Sequence, residues 1–144
     1  MYQAFEKQVL KLDDAVLLGS RLLLAWLFVH EGVALASSFG IAAEFMNKMG
    51  VPPTLLIATI ALQLSAGIAI ALGWQARLGA AALGLFCLAT AILFHNNFAN
   101  RNELLHFEKD LAIAGGMFVL MVRGAGAWSI DGLSYARKLA AATA

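Results

Sequence analysis

The sequence predicts an all-α integral membrane protein: a four-helix transmembrane bundle with both termini cytoplasmic, flanked by short interfacial amphipathic helices. Three observations carry that reading. Hydrophobic residues make up 61% of the 144 residues and charged residues only 13%, with a mean hydropathy of +0.78, whereas roughly a quarter of a soluble domain is charged. Apolar segments recur at about residues 15–35, 54–73, 78–94 and 104–122, close to the roughly 20 residues needed to cross a bilayer. Lys and Arg are distributed unevenly about these segments. A cytoplasmic N-terminus puts Lys7, Lys11, Arg21, Arg77, Arg123, Arg137 and Lys138 inside, against Lys48, Arg101 and Lys109 outside, as the positive-inside rule requires. The length leaves no room for a separate soluble domain, so residues 1–144 read as one membrane domain.

Residues 1–14 read as an amphipathic lead, with Phe5, Val9 and Leu12 at helical spacing and Glu6, Lys7, Lys11, Asp13 and Asp14 opposite. The first span carries Arg21 near its start and His30-Glu31 toward its end. It is too long, and too interrupted by charge, to be a cleaved signal sequence. Residues 39–50 place Phe39, Ala42, Ala43, Phe45, Met46 and Met49 opposite Glu44, Asn47 and Lys48, the pattern of a helix lying on the membrane surface. Pro52-Pro53 ends that helix and opens the second span, in which Thr59, Gln63, Ala66, Gly67 and Ile70 share one face. Small and polar residues at such spacing allow close helix contact in lipid.

Gly73-Trp74-Gln75-Ala76-Arg77 reads as a tight turn with an interfacial tryptophan and a cytoplasmic positive charge. In the third span Ala80, Gly84, Cys87, Ala91 and His95 share a face that should be buried. The fourth span is apolar only from Leu111 to Val122, about a dozen residues, which at 1.5 Å each cross roughly half of the bilayer core. Starting it near Leu104 restores the length but draws His106, Glu108, Lys109 and Asp110 to membrane depth, where they must face the bundle and pair. Beyond Gly124-Ala125-Gly126, Ser129 can cap a last amphipathic segment with Asp131 in its first turn. Arg21 either snorkels to headgroups or locks onto Asp131 or the turn around Ser129; the lock is the favoured reading.

Some function classes are excluded. A net charge of +1 offers no basic stripe for nucleic acid. The single cysteine, Cys87, lies within an apolar run and has no partner for a disulfide or a dithiol relay. The polar residues concentrate instead in the segment His95–Asp110 and, with this topology, join His30 and Glu31 in the outer half of the bundle, with Gln63 nearer the middle.

Taken in order, Arg21-Leu22-Leu23-Leu24, His30-Glu31-Gly32, Gln63 with Gly67, Leu72-Gly73, Arg77-Leu78-Gly79, Phe107-Glu108-Lys109-Asp110-Leu111-Ala112, Gly115-Gly116 and Gly124-Ala125-Gly126-Ala127-Trp128-Ser129-Ile130-Asp131 form a series that resembles the DoxX family of small four-helix bacterial membrane proteins. The resemblance covers nearly the whole chain. It implies a bacterial cytoplasmic (inner) membrane location and a link to redox chemistry, since relatives include the membrane subunit of a quinone-reducing thiosulfate oxidoreductase. The chain departs from the common pattern in having Val33-Ala34-Leu35 where a lysine often follows the first-span glycine, and Gln63 where an acidic residue is common.

An ionisable group at membrane depth is a functional candidate by default, which singles out Glu31 with His30 as proton-handling, catalytic candidates. Gln63, His95, His106 and Asp110 are the cofactor-binding candidates, the cofactor being a quinone. Such a site needs an apolar slot, hydrogen-bonding groups for two carbonyl oxygens and a proton exchanger, with Trp26, Gly67 and Gly84 shaping the slot. A structural ion pair between Glu31 and His95, His106 or Lys109 is the alternative use of the same residues. The three histidines can also ligate a metal or haem, which their spacing supports less well, so no metal ligand is assigned. The first functional expectation is a small membrane component of a redox system working with a partner protein. The alternatives are a non-catalytic membrane anchor or assembly subunit, docking a partner on residues 95–110, and a small-molecule or metal carrier. Lipid contact, and homo-oligomerisation through glycine stripes, complete the expectations.

Overall fold

The computed structural model describes residues 12–143, so the N-terminal lead expected over residues 1–14 lies largely outside the described residues. Among these residues six helices form and no strand: α1 (Asp13–Ser37), α2 (Phe39–Lys48), α3 (Thr54–Leu72), α4 (Ala76–Phe94), α5 (Arg101–Arg123) and α6 (Ile130–Ala142). Helices α1, α3 and α4 are long and apolar enough to cross a membrane. Helix α5 has comparable length, 23 residues, but its first three turns carry Arg101, Glu103, Glu108, Lys109 and Asp110. It packs along α4, while α1 packs along α3 and the α3–α4 contact joins the two pairs. The fourth seam, between α1 and α5, is the loosest of the four.

The buried faces follow helical periodicity. Helix α1 buries Arg21, Ala25, Phe28 and Gly32, and α3 buries Leu56, Gln63, Ala66, Gly67 and Ile70. Helix α4 buries Ala80, Leu83, Gly84, Cys87 and Ala91, against Ala114, Met117 and Leu120 of α5. Gly84 is needed for that contact, since a Cβ there would stand 2.9 Å from the Phe118 ring. Large apolar side chains point outward instead, among them Leu23, Trp26, Ile57, Leu85, Ile92 and Val119. Such a surface suits lipid, in which helices associate by close packing of small residues rather than by a hydrophobic drive.

At one end of the molecule the connections are tied by a knot of polar contacts. Gly73 closes α3 in the left-handed region, φ 68°, and Trp74 N–H donates back to Ala69 O at 2.8 Å, a glycine-dependent helix ending. Gln75, also left-handed at φ 47°, donates its N–H to Asp131 Oδ1 at 2.9 Å, and Ala76 N–H donates to Asp131 Oδ2 at 3.0 Å. The carboxylate thus caps the N-terminus of α4, where the helix dipole favours negative charge.

Arg21, 2% exposed, donates to Ala125 O at 2.7 Å and to Trp128 O at 2.9 Å. The lock expected from the sequence therefore exists in one of its two forms. Arg21 grips the turn before Ser129 through backbone carbonyls, and Asp131 is engaged by α4. Ser129 caps α6, its side chain accepting from Gly132 N–H at 3.0 Å. Arg77 closes the C-terminal end of α5, donating to Met121 O at 2.9 Å and also to Val122 O. Arg123 pairs with both oxygens of Asp13 at 2.7 Å, and Asp14 accepts from Ala127 N–H at 2.8 Å.

Candidate functional site

The opposite end of the molecule is hollow. Helices α1, α3, α4 and α5 line a partly open cavity of about 390 Å³, with α2 forming part of its wall. Helix α2 occupies that place because Ser37 and Ser38 bond back to Val33 O and Ala34 O at 2.8 Å as α1 ends. Its own apolar face then turns inward, with Ala42, Phe45 and Met46 on the cavity. The Phe45 ring lies 6.3 Å from that of Phe94. Apolar side chains from each of the long helices make up the rest of the wall, including Leu27, Phe28, Leu56, Phe86 and Ile113.

Five of the six residues singled out from the sequence, Glu31, Gln63, His95, His106 and Asp110, line this one cavity. They arrive from α1, α3, the end of α4 and α5, with Gln63 buried, His95, His106 and Asp110 half-buried and Glu31 at the exposed edge. Gln63 is the deepest, 6% exposed, and its amide oxygen has no hydrogen-bond partner. Asp110 accepts from the Thr90 hydroxyl at 3.0 Å, the hydroxyl lying within reach of Phe86 O and Cys87 O as well. His95 Nδ1 lies 2.8 Å from Glu103 Oε2. The His95 and His106 rings stack with centroids 5.0 Å apart and planes 20° apart.

The sixth residue is elsewhere. His30 does not line the cavity; its side chain is 60% exposed and its ring lies 5.9 Å from that of Trp26. One residue further along a helix is a rotation of about 100°, so His30 and Glu31 cannot both face inward. The Glu31 side chain is 52% exposed and stands 3.8 Å from His30, so the ion pair considered for it with His95, His106 or Lys109 is absent among the described residues. Trp26, Gly67 and Gly84 do not line the cavity either. Gly67 and Gly84 are helix contacts, the one against Val29 and the other against Phe118.

Sequence reasoning passed over Thr90 as a lining residue and Glu103 as the partner of His95; of the residues expected to face the bundle, Lys109 lines the cavity and Glu108 does not. Thr90 carried a signal, since it follows Cys87 by three residues on the face that leads to His95. The role of α2 as a wall had none, because an amphipathic helix reads the same whether it rests on lipid or on protein.

The arrangement can bind a flat, largely apolar molecule carrying polar groups at its edge. Pockets of roughly 300–1,000 Å³ with apolar walls and a few convergent polar groups are typical of small-molecule sites. Among the described residues no three of His, Cys, Asp and Glu converge on a point that could hold a metal ion. The two cavity imidazoles lie against each other, whereas a haem would sit between two facing rings.

Comparison with known proteins gives concordant results. The family model described as DoxX matches residues 16–96. The inner membrane protein YqjF of Escherichia coli (strain K12) is 39% identical over 123 residues, which cover 85% of this chain and 95% of that protein. The inner membrane protein YphA of the same organism is 28% identical over 123 residues, covering 81% of this chain and 88% of that protein. No solved structure matches significantly.

Proposed function

The chain belongs to the DoxX family and is an inner-membrane protein, and we propose that it serves as a small membrane component of a redox system, binding a quinone in the α1–α5 cavity beside a partner protein. In this reading α5 is the fourth membrane crossing, both termini are cytoplasmic, and the cavity lies in the outer half of the bilayer. The observation that carries it is the combination of an apolar hollow with a few convergent polar groups, Gln63, His106 and Asp110 among them, on its wall. The redox association is the one that the family resemblance implies.

The residues present fit such a group. Phe28, Phe86 and Phe94 offer apolar contact to a ring, the Gln63 amide N–H and a His106 N–H can donate to its carbonyl oxygens, and Asp110 can accept from the hydroxyl of the reduced ring. Bound there, a quinone would supply a two-electron, two-proton couple. Thr90 holds the Asp110 carboxylate in one orientation. Glu103 does the same for the His95 ring. Glu31, on the cavity yet half exposed, is the group able to pass protons between the hollow and its surroundings. With no CxxC pair and no dinucleotide fingerprint in the sequence, electrons would come from the partner protein.

The test is to purify the full chain from membranes, record its ultraviolet-visible spectrum before and after dithionite, and analyse an organic extract of the same sample for quinone. Stoichiometric quinone that disappears in Gln63→Met supports the reading. A silent spectrum and an empty extract from freshly prepared protein reject it in favour of a non-catalytic anchor or assembly subunit.

A further inference from the structure

We propose that the cavity is loaded sideways from the bilayer, through a portal between the outer halves of α1 and α5. Its ligand is then a lipid-phase molecule whose ring lies in the hollow while its apolar tail runs out through the portal among the acyl chains. This rests on the membrane placement and the ring ligand of the reading above, and its test separates the two. The inference comes from where the cavity wall is closed and where it is not.

Helices α1 and α5 run antiparallel, and their inner halves are joined. Arg123 pairs with Asp13 at 2.7 Å, and a Cβ on Gly116 would meet the Leu24 side chain at 3.6 Å, ordinary packing distance. Glu31 lies seven residues beyond Leu24 on α1, and Lys109 lies seven residues before Gly116 on α5. Seven residues return nearly to the same face of a helix, about 10 Å further along it. Glu31 and Lys109 therefore oppose each other across the seam at one level. No ion pair joins them among the described residues, and both line the cavity. The seam that is packed at Leu24 has opened by Glu31.

The rest of the wall is shut. Among the described lining residues only Glu31, Lys109 and Phe45 are exposed, whereas Leu56 and Gln63 on α3, Cys87 on α4, and Phe28 and Met46 are buried. Toward the outer surface the Phe45 ring lies 6.3 Å from that of Phe94 and His106 stacks on His95, which draws the lining together there. The opening thus faces the flank between α1 and α5, which acyl chains cover when α5 crosses the membrane.

The rim suits such a passage. Leu27 and Leu35 stand one turn to either side of Glu31, and Ile113 one turn from Lys109, so the two charges interrupt an otherwise apolar edge. Ionisable side chains at membrane depth are costly against lipid and are tolerated where a hydrated cavity takes them in. A hollow of about 390 Å³ is near the lower end of small-molecule sites. It holds a substituted ring, and a long apolar tail has to lie elsewhere. The portal is the exit that exposes none of that tail to water.

The experiment is photolabelling of the full chain in lipid nanodiscs with two alkyl-tailed benzoquinones. One carries a diazirine a few carbons along the tail and the other at the far end of it. Each is used with and without an excess of the same quinone lacking the diazirine, and mass spectrometry identifies what is labelled. The expected result is competitor-sensitive labelling of Leu27–Leu35 and His106–Ile113 by the first probe, and capture of phospholipid by the second. Competitor-sensitive labelling by the first probe confined to any other part of the wall, α2 and residues 95–100 included, overturns the portal and leaves the ring site in place. Competitor-sensitive labelling of the cavity wall by the second probe does the same, since the tail is then folded inside. Absence of any competitor-sensitive labelling overturns the site and the inference together.

Discussion

The Thr90 hydroxyl donates to Asp110 Oδ2 at 3.0 Å, linking α4 to α5 within the wall of the cavity. Both residues are half-buried, and the bond fixes a carboxylate that could otherwise turn toward several neighbours. Thr90→Val removes the donor while keeping the shape, and leaves the carboxylate under-satisfied. The expected loss is about 1–3 kcal/mol, the usual penalty for a buried polar group deprived of its partner. Thermal unfolding in detergent, followed by far-ultraviolet circular dichroism, measures it; an unchanged midpoint would show that the bond contributes nothing.

Gln63 offers the opposite case. Its unpartnered amide oxygen is a liability to the ligand-free protein, so Gln63→Met, which keeps the length of the side chain, is expected to leave stability unchanged or to raise it by about 1 kcal/mol. Ligand retention should fall in the same variant. A variant that loses stability as well as ligand would show that the amide is held by a protein contact.

At the far end of the molecule, Gly73→Ala should be among the most damaging small substitutions. The residue sits at φ 68°, and an added methyl group would run into Arg21 and Ser129. The backbone penalty alone is about 1–2 kcal/mol, and displacement of Arg21 adds to it. Gly115→Ala is the control, since nothing lies within 4 Å of a Cβ built there; the two unfolding midpoints should separate clearly.

Arg21 and Asp131 belong to one knot but hold different partners. Arg21→Lys keeps the charge and loses the fork that reaches two carbonyls at once, so it should destabilise nearly as much as Arg21→Met. Asp131→Ala removes the cap on Gln75 and Ala76, at a cost of about 0.5–2 kcal/mol. Because Gly73 touches Arg21 and Asp131 N–H donates to Gly73 O, the double substitution should cost less than the two single effects added together. Strict additivity in chemical unfolding would mean that the two sites are independent.

Much of this was legible in the chain. Apolar runs and their breaks give the helices, since Pro52-Pro53, Gly73 and Gly124 stand where helices end or begin. The face of α4 from Ala80 to Ala91 could be read as buried because small residues recur there at helical spacing. Glu31, Gln63, His95, His106 and Asp110 could be grouped because their depth follows from their position along each helix. What stayed hidden depends on azimuth and on backbone atoms. Adjacent His30 and Glu31 share a depth and diverge in direction. Arg21 finds its partners among the carbonyls of Ala125 and Trp128, and carbonyls are carried by every residue, so no pattern of side chains announces them.

Those carbonyls lie 104 and 107 positions downstream of the guanidinium that they receive. At a synthesis rate of about 5–20 residues per second, Arg21 therefore exists for roughly 5–20 s before its partners have been made. Throughout that interval the first helix is a nascent segment with an unsatisfied cation, for which the bilayer interior is a poor host. The turn that follows α5 is thus the one that releases the first helix from its dependence on water, lipid headgroups or the insertion machinery. A ribosome that stalls before Ala125 leaves a polypeptide whose long helices are all present and whose charge at position 21 lacks both of its carbonyl partners.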